Sequence, residues 1–184
     1  MRKLRWSALT ALALGLPCAA ADSDNTASLY RLEAPLRNQD ARAVTLDLYR
    51  GHPVLVTMFY SSCQATCPLI IDTVRAVERG LDAQQRPDVR VLLISIDPER
   101  DTPQALAEQV RTRRIDTSRW TLAQTDAANV RKIAAALGIQ YRQLPNGEFS
   151  HGTIITVLDP GGEITAQSAE LGHADPKLLA ALKK

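Results

Sequence analysis

A chain of 184 residues, 45% of them apolar and 23% charged, has room for one compact domain and is too short for two comfortable ones. That composition excludes the fibrous and disordered classes. Its net charge of +2 comes from the extreme N-terminus rather than from a basic face, and no stripe of basic residues interleaved with aromatics points to nucleic acid. Arg2, Lys3 and Arg5 precede an apolar run from Trp6 to Leu16, and the small residues Cys18-Ala19-Ala20-Ala21 follow. That order predicts a secretory signal peptide over residues 1–21, cleaved after Ala20 or Ala21. The run is too short to cross a hydrocarbon core of ~30 Å as an ordinary helix; the alternative is an uncleaved membrane anchor. Pro17 stands where a lipid-attachment signal at Cys18 wants a small residue. Removing residues 1–21 leaves 19 basic groups against 20 acidic ones and two cysteines, Cys63 and Cys67. The expectation is an exported, periplasmic, soluble protein that meets a membrane only through a partner or an uncleaved signal.

Residues 22–28 are small and polar and read as a flexible leader, followed by one domain over 29–184. Short extended runs are expected at Tyr30–Leu32 and Val44–Leu46. Val54–Tyr60 is a continuous apolar, β-branched run of the buried-strand type. Pro68 suits the first position of a helix that runs to about Arg79, with Gly80 as its stop. Val89–Ile96 predicts a second buried strand. Thr102-Pro103 then pairs an N-cap with a first-turn proline and opens a helix through Val110. Thr125 or Asp126 caps a further helix, in which Val130, Ile133, Ala134 and Leu137 share a face. Ile139–Tyr141 is a possible short strand. Thr153–Leu158 and Glu163–Gln167 flank the turn Asp159-Pro160-Gly161-Gly162, and Asp175-Pro176 starts the last helix. Strands alternating with helices and closing on a hairpin predict an α/β domain: a central mixed β-sheet flanked by helices. The order matches a thioredoxin-like fold with an N-terminal β extension.

Cys63 and Cys67 fall between a buried strand and a helix start, in Ser61-Ser62-Cys63-Gln64-Ala65-Thr66-Cys67-Pro68. The unpaired amides of a helix N-terminus carry about +0.5 of a charge and favour thiolate, which is both nucleophile and metal ligand. The three-residue spacer is wider than the C-x-x-C of disulfide oxidoreductases; it lets two sulfurs converge on an ion while still permitting a disulfide. A third donor, an imidazole nitrogen beside the two sulfurs, would complete a trigonal set that biases a site towards copper(I). His151, followed by the unobstructed backbone of Gly152, is the candidate. Asp97, at a strand end, is a candidate hydrogen-bond partner or proton acceptor near the thiols. His52 reads as a turn residue and His173 as a linker residue. The residues themselves leave several uses open: a structural disulfide, a redox pair in which Cys63 attacks and Cys67 resolves, a peroxidatic Cys63, or metal binding. A structural zinc site wants four ligands, and only three convincing ones are present.

Cys63-x-x-x-Cys67-Pro68 after an aromatic strand end, the segment Asp97-Pro98-Glu99-Arg100-Asp101-Thr102-Pro103, and His151 in its expected place together resemble the Sco/SenC family of copper proteins. The resemblance covers about Leu29 to the C-terminus. It implies a thioredoxin-like fold and copper, as Cu(I) and in some circumstances Cu(II), bound by Cys63, Cys67 and His151. It also implies a metallochaperone rather than an enzyme, delivering copper to the dinuclear copper centre of a respiratory cytochrome c oxidase subunit. An upstream copper chaperone or thiol reductase is a further expected partner. The alternative within the same resemblance is a thiol–disulfide oxidoreductase acting on a copper-accepting protein. Two departures bear on copper(II) affinity and partner choice: Gln64 stands where many members have proline, and Ser150 where an aspartate often precedes the histidine.

Overall fold

The structure, a computed structural model, describes residues 28–63, 66–82 and 88–183; the expected signal peptide lies outside the described residues. In chain order the first elements are β1 (Leu36–Asn38), β2 (Ala43–Val44), β3 (Val54–Phe59), α1 (Thr66–Arg79), β4 (Arg90–Ser95) and α2 (Pro103–Arg113). There follow β5 (Trp120–Gln124), α3 (Ala127–Ala136), β6 (Tyr141–Gln143), β7 (Phe149–His151), β8 (Ile155–Leu158), β9 (Ile164–Ser168) and α4 (Pro176–Leu182).

The longest apolar runs occupy the middle of the sheet, as burial on both faces demands. All six residues of β3 are buried. β3 pairs in parallel with β4 from Val54 opposite Arg90 to Phe59 opposite Ser95, and β4 pairs in parallel with β5. β8 runs antiparallel to β3 and β9 antiparallel to β8. The spatial order is β2-β1-β5-β4-β3-β8-β9, a thioredoxin-like mixed sheet extended at one edge by β1 and β2.

Right-handed crossovers put α1 and α2 on one face of the sheet, and the Arg75 guanidinium of α1 bonds the Arg113 carbonyl at the end of α2. The helix starts are chemically specified. Thr102 caps α2 by accepting from Ala105 N, with Pro103 behind it. Asp126 caps α3 through the Ala128 and Asn129 amides, and Asp175 caps α4 through Lys177 N. Among the described residues no helix is long and apolar enough to cross a membrane.

Several expectations change. Tyr30–Leu32 is not extended: Leu29–Arg31 forms a 3-10 helix capped by Ser28, and Leu46–Tyr49 forms another. Ser28, placed by sequence in a flexible leader, is buried, and its hydroxyl donates to Gly161 O at 2.5 Å. Gly162, at φ +88°, lies so close to Tyr30 that a Cβ there would stand 2.5 Å from the ring. β5 escapes a reading by sequence because Thr121 and Gln124 interrupt its apolar run, although Trp120, Leu122 and Ala123 are buried. Pro68 is the third residue of α1 rather than the first, still within the turn where a missing N–H costs no helical bond.

Candidate functional site

β3 delivers the chain to Tyr60 at the edge of the sheet, and a turn closed by Cys63 N–H donating to Tyr60 O (3.3 Å) brings it to α1. Cys63 and Cys67 are free thiols and both are buried. The Cys67 amide, one of the first-turn donors that has no helical acceptor, donates to Cys63 Sγ at 3.4 Å. That bond favours negative charge on Cys63. At Cys67 the balance is different. Burial pushes its thiol well above the ordinary range and the adjacent Cys63 raises it further, against a partial opposing pull from the Tyr60 backbone. The sequence expectation that the helix start activates the thiols is not met at Cys67, where desolvation prevails.

His151 ends β7 rather than sitting in a loop. β7 pairs with β6 in a separate two-stranded sheet, Tyr141 opposite His151. The connecting turn is held by Leu144 N to Glu148 O (2.7 Å) and Gly147 N to Leu144 O (2.9 Å), with Gly147 at φ +81°. Asn146-Gly147 is the sequence signal that marks this hairpin; β6 and β7 themselves are too short and polar to declare a period. Beyond it, Gly152 N donates to Gln140 O at 2.9 Å. The His151 Nδ1 lies 3.0 Å from Gly152 O. A carbonyl only accepts, so Nδ1 carries the proton and Nε2 keeps its lone pair. Nε2 is 4.0 Å from Cys67 Sγ. Burial lowers the imidazole pKa below its ordinary value, with the Gly152 carbonyl partly opposing, so the ring is neutral at pH 7.

Three further residues, each missed by sequence reasoning as part of the site, hold these donors together. The Tyr60 hydroxyl donates to Glu148 Oε2 (2.9 Å) and accepts from Phe149 N–H (3.4 Å). Its ring meets those of Phe149 and His151 edge-on, at 5.5 and 5.8 Å between centroids. Burial and hydrogen bonds with Glu148 and Cys63 raise the Tyr60 phenol far above its usual value, so it remains a neutral donor. Asp101, fully buried, binds the cysteine loop to the end of β4: it accepts from Ser61 N (3.2 and 3.0 Å), the Ser61 hydroxyl and the Ser95 hydroxyl. Arg100 bonds Asp97 and reaches Gly147 O at 2.6 Å.

Asp97, expected near the thiols, has a partner in Arg100. Its carboxylate pairs with Arg100 Nε and also accepts from Arg100 N–H at 3.4 Å, while Asp101 carries the loop. The signal for Asp101 is present in the sequence, four residues on in the same segment. Among the described residues no three His, Cys, Asp or Glu side chains are drawn together tightly enough to hold an ion as they stand. Cys67 Sγ faces His151 Nε2, and Cys63 Sγ accepts from the Cys67 amide. A 4.0 Å gap is at the outer limit for a thiol–imidazole hydrogen bond. One ion with bonds of about 2.0–2.3 Å to nitrogen and sulfur spans it. Two sulfurs and an imidazole suit a soft ion, Cu(I) above all.

Residues 24–184 match the family model described as SCO1/SenC. The chain is 31% identical over 134 residues to the mitochondrial SCO2 homolog of Bos taurus, covering 66% of this chain and 49% of that protein, so it spans about half that relative's length. Its fold is that of the Bradyrhizobium japonicum ScoI structure with copper bound, with a TM-score of 0.67 and 22% identity over 82% of this chain and 95% of the other. It is also that of BsSco, a member of the Sco family of cytochrome c oxidase assembly proteins in which a disulfide switch was identified. There the TM-score is 0.66 and the identity 21%, covering 81% of this chain and 88% of BsSco.

Proposed function

This chain belongs to the SCO1/SenC family, and from that membership we propose that it carries copper(I) between Cys63 Sγ, Cys67 Sγ and His151 Nε2. In this reading the cargo passes, outside the cytoplasm, to a copper-accepting subunit of a respiratory cytochrome c oxidase, after loading by an upstream copper chaperone and reduction by a thiol reductase. The domain spans 29–184 and residues 1–21 are its export signal. The observation that carries the reading is the His151 ring: Nδ1–H is fixed on Gly152 O, and the lone pair of Nε2 is left 4.0 Å from Cys67 Sγ. A histidine bonded at one ring nitrogen and open at the other is the arrangement metal-ligating imidazoles share. Transfer follows from thiolate exchange: the partner's sulfurs replace Cys63 and Cys67 in turn, and the ion is never released to solvent.

Competition of the reduced protein against a chromogenic Cu(I) chelator tests it. One equivalent is retained by the wild type, Cys63→Ser and Cys67→Ser abolish retention, and His151→Ala weakens it roughly tenfold or more, the scale on which even outer hydrogen-bond partners act. Equal retention by wild type and His151→Ala removes the histidine from the site.

The Cys67 amide on Cys63 Sγ also favours a second reading, a thiol–disulfide oxidoreductase. Cys63 thiolate attacks a partner disulfide and releases one partner thiolate. Cys67 then attacks Cys63 sulfur, releasing the second and leaving the Cys63–Cys67 disulfide. Failure of the reduced protein to reduce a disulfide-bonded copper-accepting domain would end this reading.

A further inference from the structure

The hairpin that carries His151 lies outside the main sheet of the domain. β6 and β7 form a sheet of their own, with no ladder to the seven-stranded sheet. A two-stranded hairpin alone is at best marginally stable in water. Tyr141 and Phe149 pack against the core, but a cavity of about 220 Å3 lined by Ile96, Asp97, Pro98, Val130, Tyr141 and Phe149 lies between the hairpin and the turn after β4. Tyr60, at the end of β3, holds one side of the hairpin through Glu148 and Phe149; on the side facing the turn after β4, Arg100 crosses the seam.

Asp97, 2% exposed, accepts from Arg100 Nε and the Arg100 amide and so fixes where the guanidinium points. The far side of the guanidinium donates to Gly147 O at 2.6 Å in the hairpin turn. Its carbon sits 5.9 Å from the centre of the Phe149 ring, two residues before His151 on β7. The three contacts leave in different directions from one planar group. A lysine, with a compact ammonium and no fork, makes one of them at a time.

We propose that Arg100 is a positioning residue: anchored by Asp97, it ties the tip and the second strand of the hairpin across the seam and so holds His151 against Cys67. The proposal rests on the copper reading for its consequence, but not for its physical content, since the tether is a property of the metal-free chain.

The test combines Cu(I) competition on the reduced protein with amide hydrogen exchange on the metal-free protein, for wild type, Arg100→Met, Arg100→Lys, His151→Ala and the Arg100→Met/His151→Ala double variant. Arg100→Met weakens Cu(I) retention about 10- to 100-fold, the range for second-layer partners of a ligand, and Arg100→Lys by less. The double variant loses no more than His151→Ala alone, because Arg100 acts only through that ligand. In the metal-free protein the Leu144, Gly147 and Gly152 amides exchange faster in both Arg100 variants, while β3 and β4 amides keep their protection. Unchanged exchange at those three amides overturns the tether, as does a double variant whose losses simply add. If wild-type retention does not depend on His151, the copper reading has failed, and hydrogen exchange alone decides whether Arg100 holds the hairpin.

Discussion

At Cys67 and His151 burial works on two groups of opposite type and leaves both uncharged: the thiol is pushed up and the imidazole down. In the metal-free protein, therefore, a protonated thiol faces an unprotonated Nε2, and in the proposed copper reading loading must expel the Cys67 proton. Cu(I) affinity at fixed chelator is expected to rise with pH from 6 to 8.5; a flat wild-type profile would mean that Cys67 is already ionised. Stability follows the same shift with the opposite sign. A thiol whose folded pKa lies above its ordinary value of 9.0 binds more protons folded than unfolded above that pH. Its contribution is present below about pH 9 and is lost as the pH rises beyond it. Denaturant unfolding of the metal-free protein should show that decline, and Cys67→Ala should flatten it.

Residues 61–63, which follow β3, belong to no helix or strand, and Asp101 holds them at Ser61. Replacing Asp101 by alanine leaves the Ser61 amide and two hydroxyls without their acceptor in a dry place. The expected cost is about 3 kcal/mol, the upper range for an orphaned charged hydrogen-bond set, read as a lowered denaturation midpoint with an unchanged slope. A loss under about 0.5 kcal/mol, the level of an ordinary surface change, would show that the loop is held by something else. Such loops are where sequence reading is weakest. β3, β4 and β8 are legible because their burial leaves a continuous apolar run, and α2, α3 and α4 because Thr102, Asp126 and Asp175 announce them. β5 is not, because its middle is interrupted by Thr121. The β6–β7 hairpin is not, because three-residue polar strands carry no period. The two thiols and the histidine stand out by residue type and spacing. Tyr60, Arg100 and Asp101 act through contacts 40 to 90 residues apart in sequence, which no local pattern records.

Across the whole molecule, α1 joins two polar centres that differ in kind. Its first turn holds Cys67. Near its other end, about 16 Å away at 1.5 Å per residue, Glu78 is buried, accepting from Trp120 Nε1 at 2.8 Å and pairing with Arg119 at 2.7 Å. That second cluster pins α1 to the start of β5. Glu78→Ala leaves the indole N–H without its acceptor and Arg119 with Asp116 as its acidic partner, and is expected to cost about 1–3 kcal/mol. Cu(I) retention by the folded fraction should be unchanged, because distant sites without shared partners contribute independently. A parallel loss of copper would mean that the helix transmits strain from one end to the other. At the near end, in the proposed copper reading, two sulfurs and one imidazole close on a single ion. X-ray absorption of the Cu(I)-loaded wild type and of His151→Ala tests it most directly. The account requires two sulfur neighbours and one imidazole in the wild type, with the imidazole signature gone from the variant. A wild-type spectrum showing sulfur alone, unchanged by the loss of His151, would contradict it.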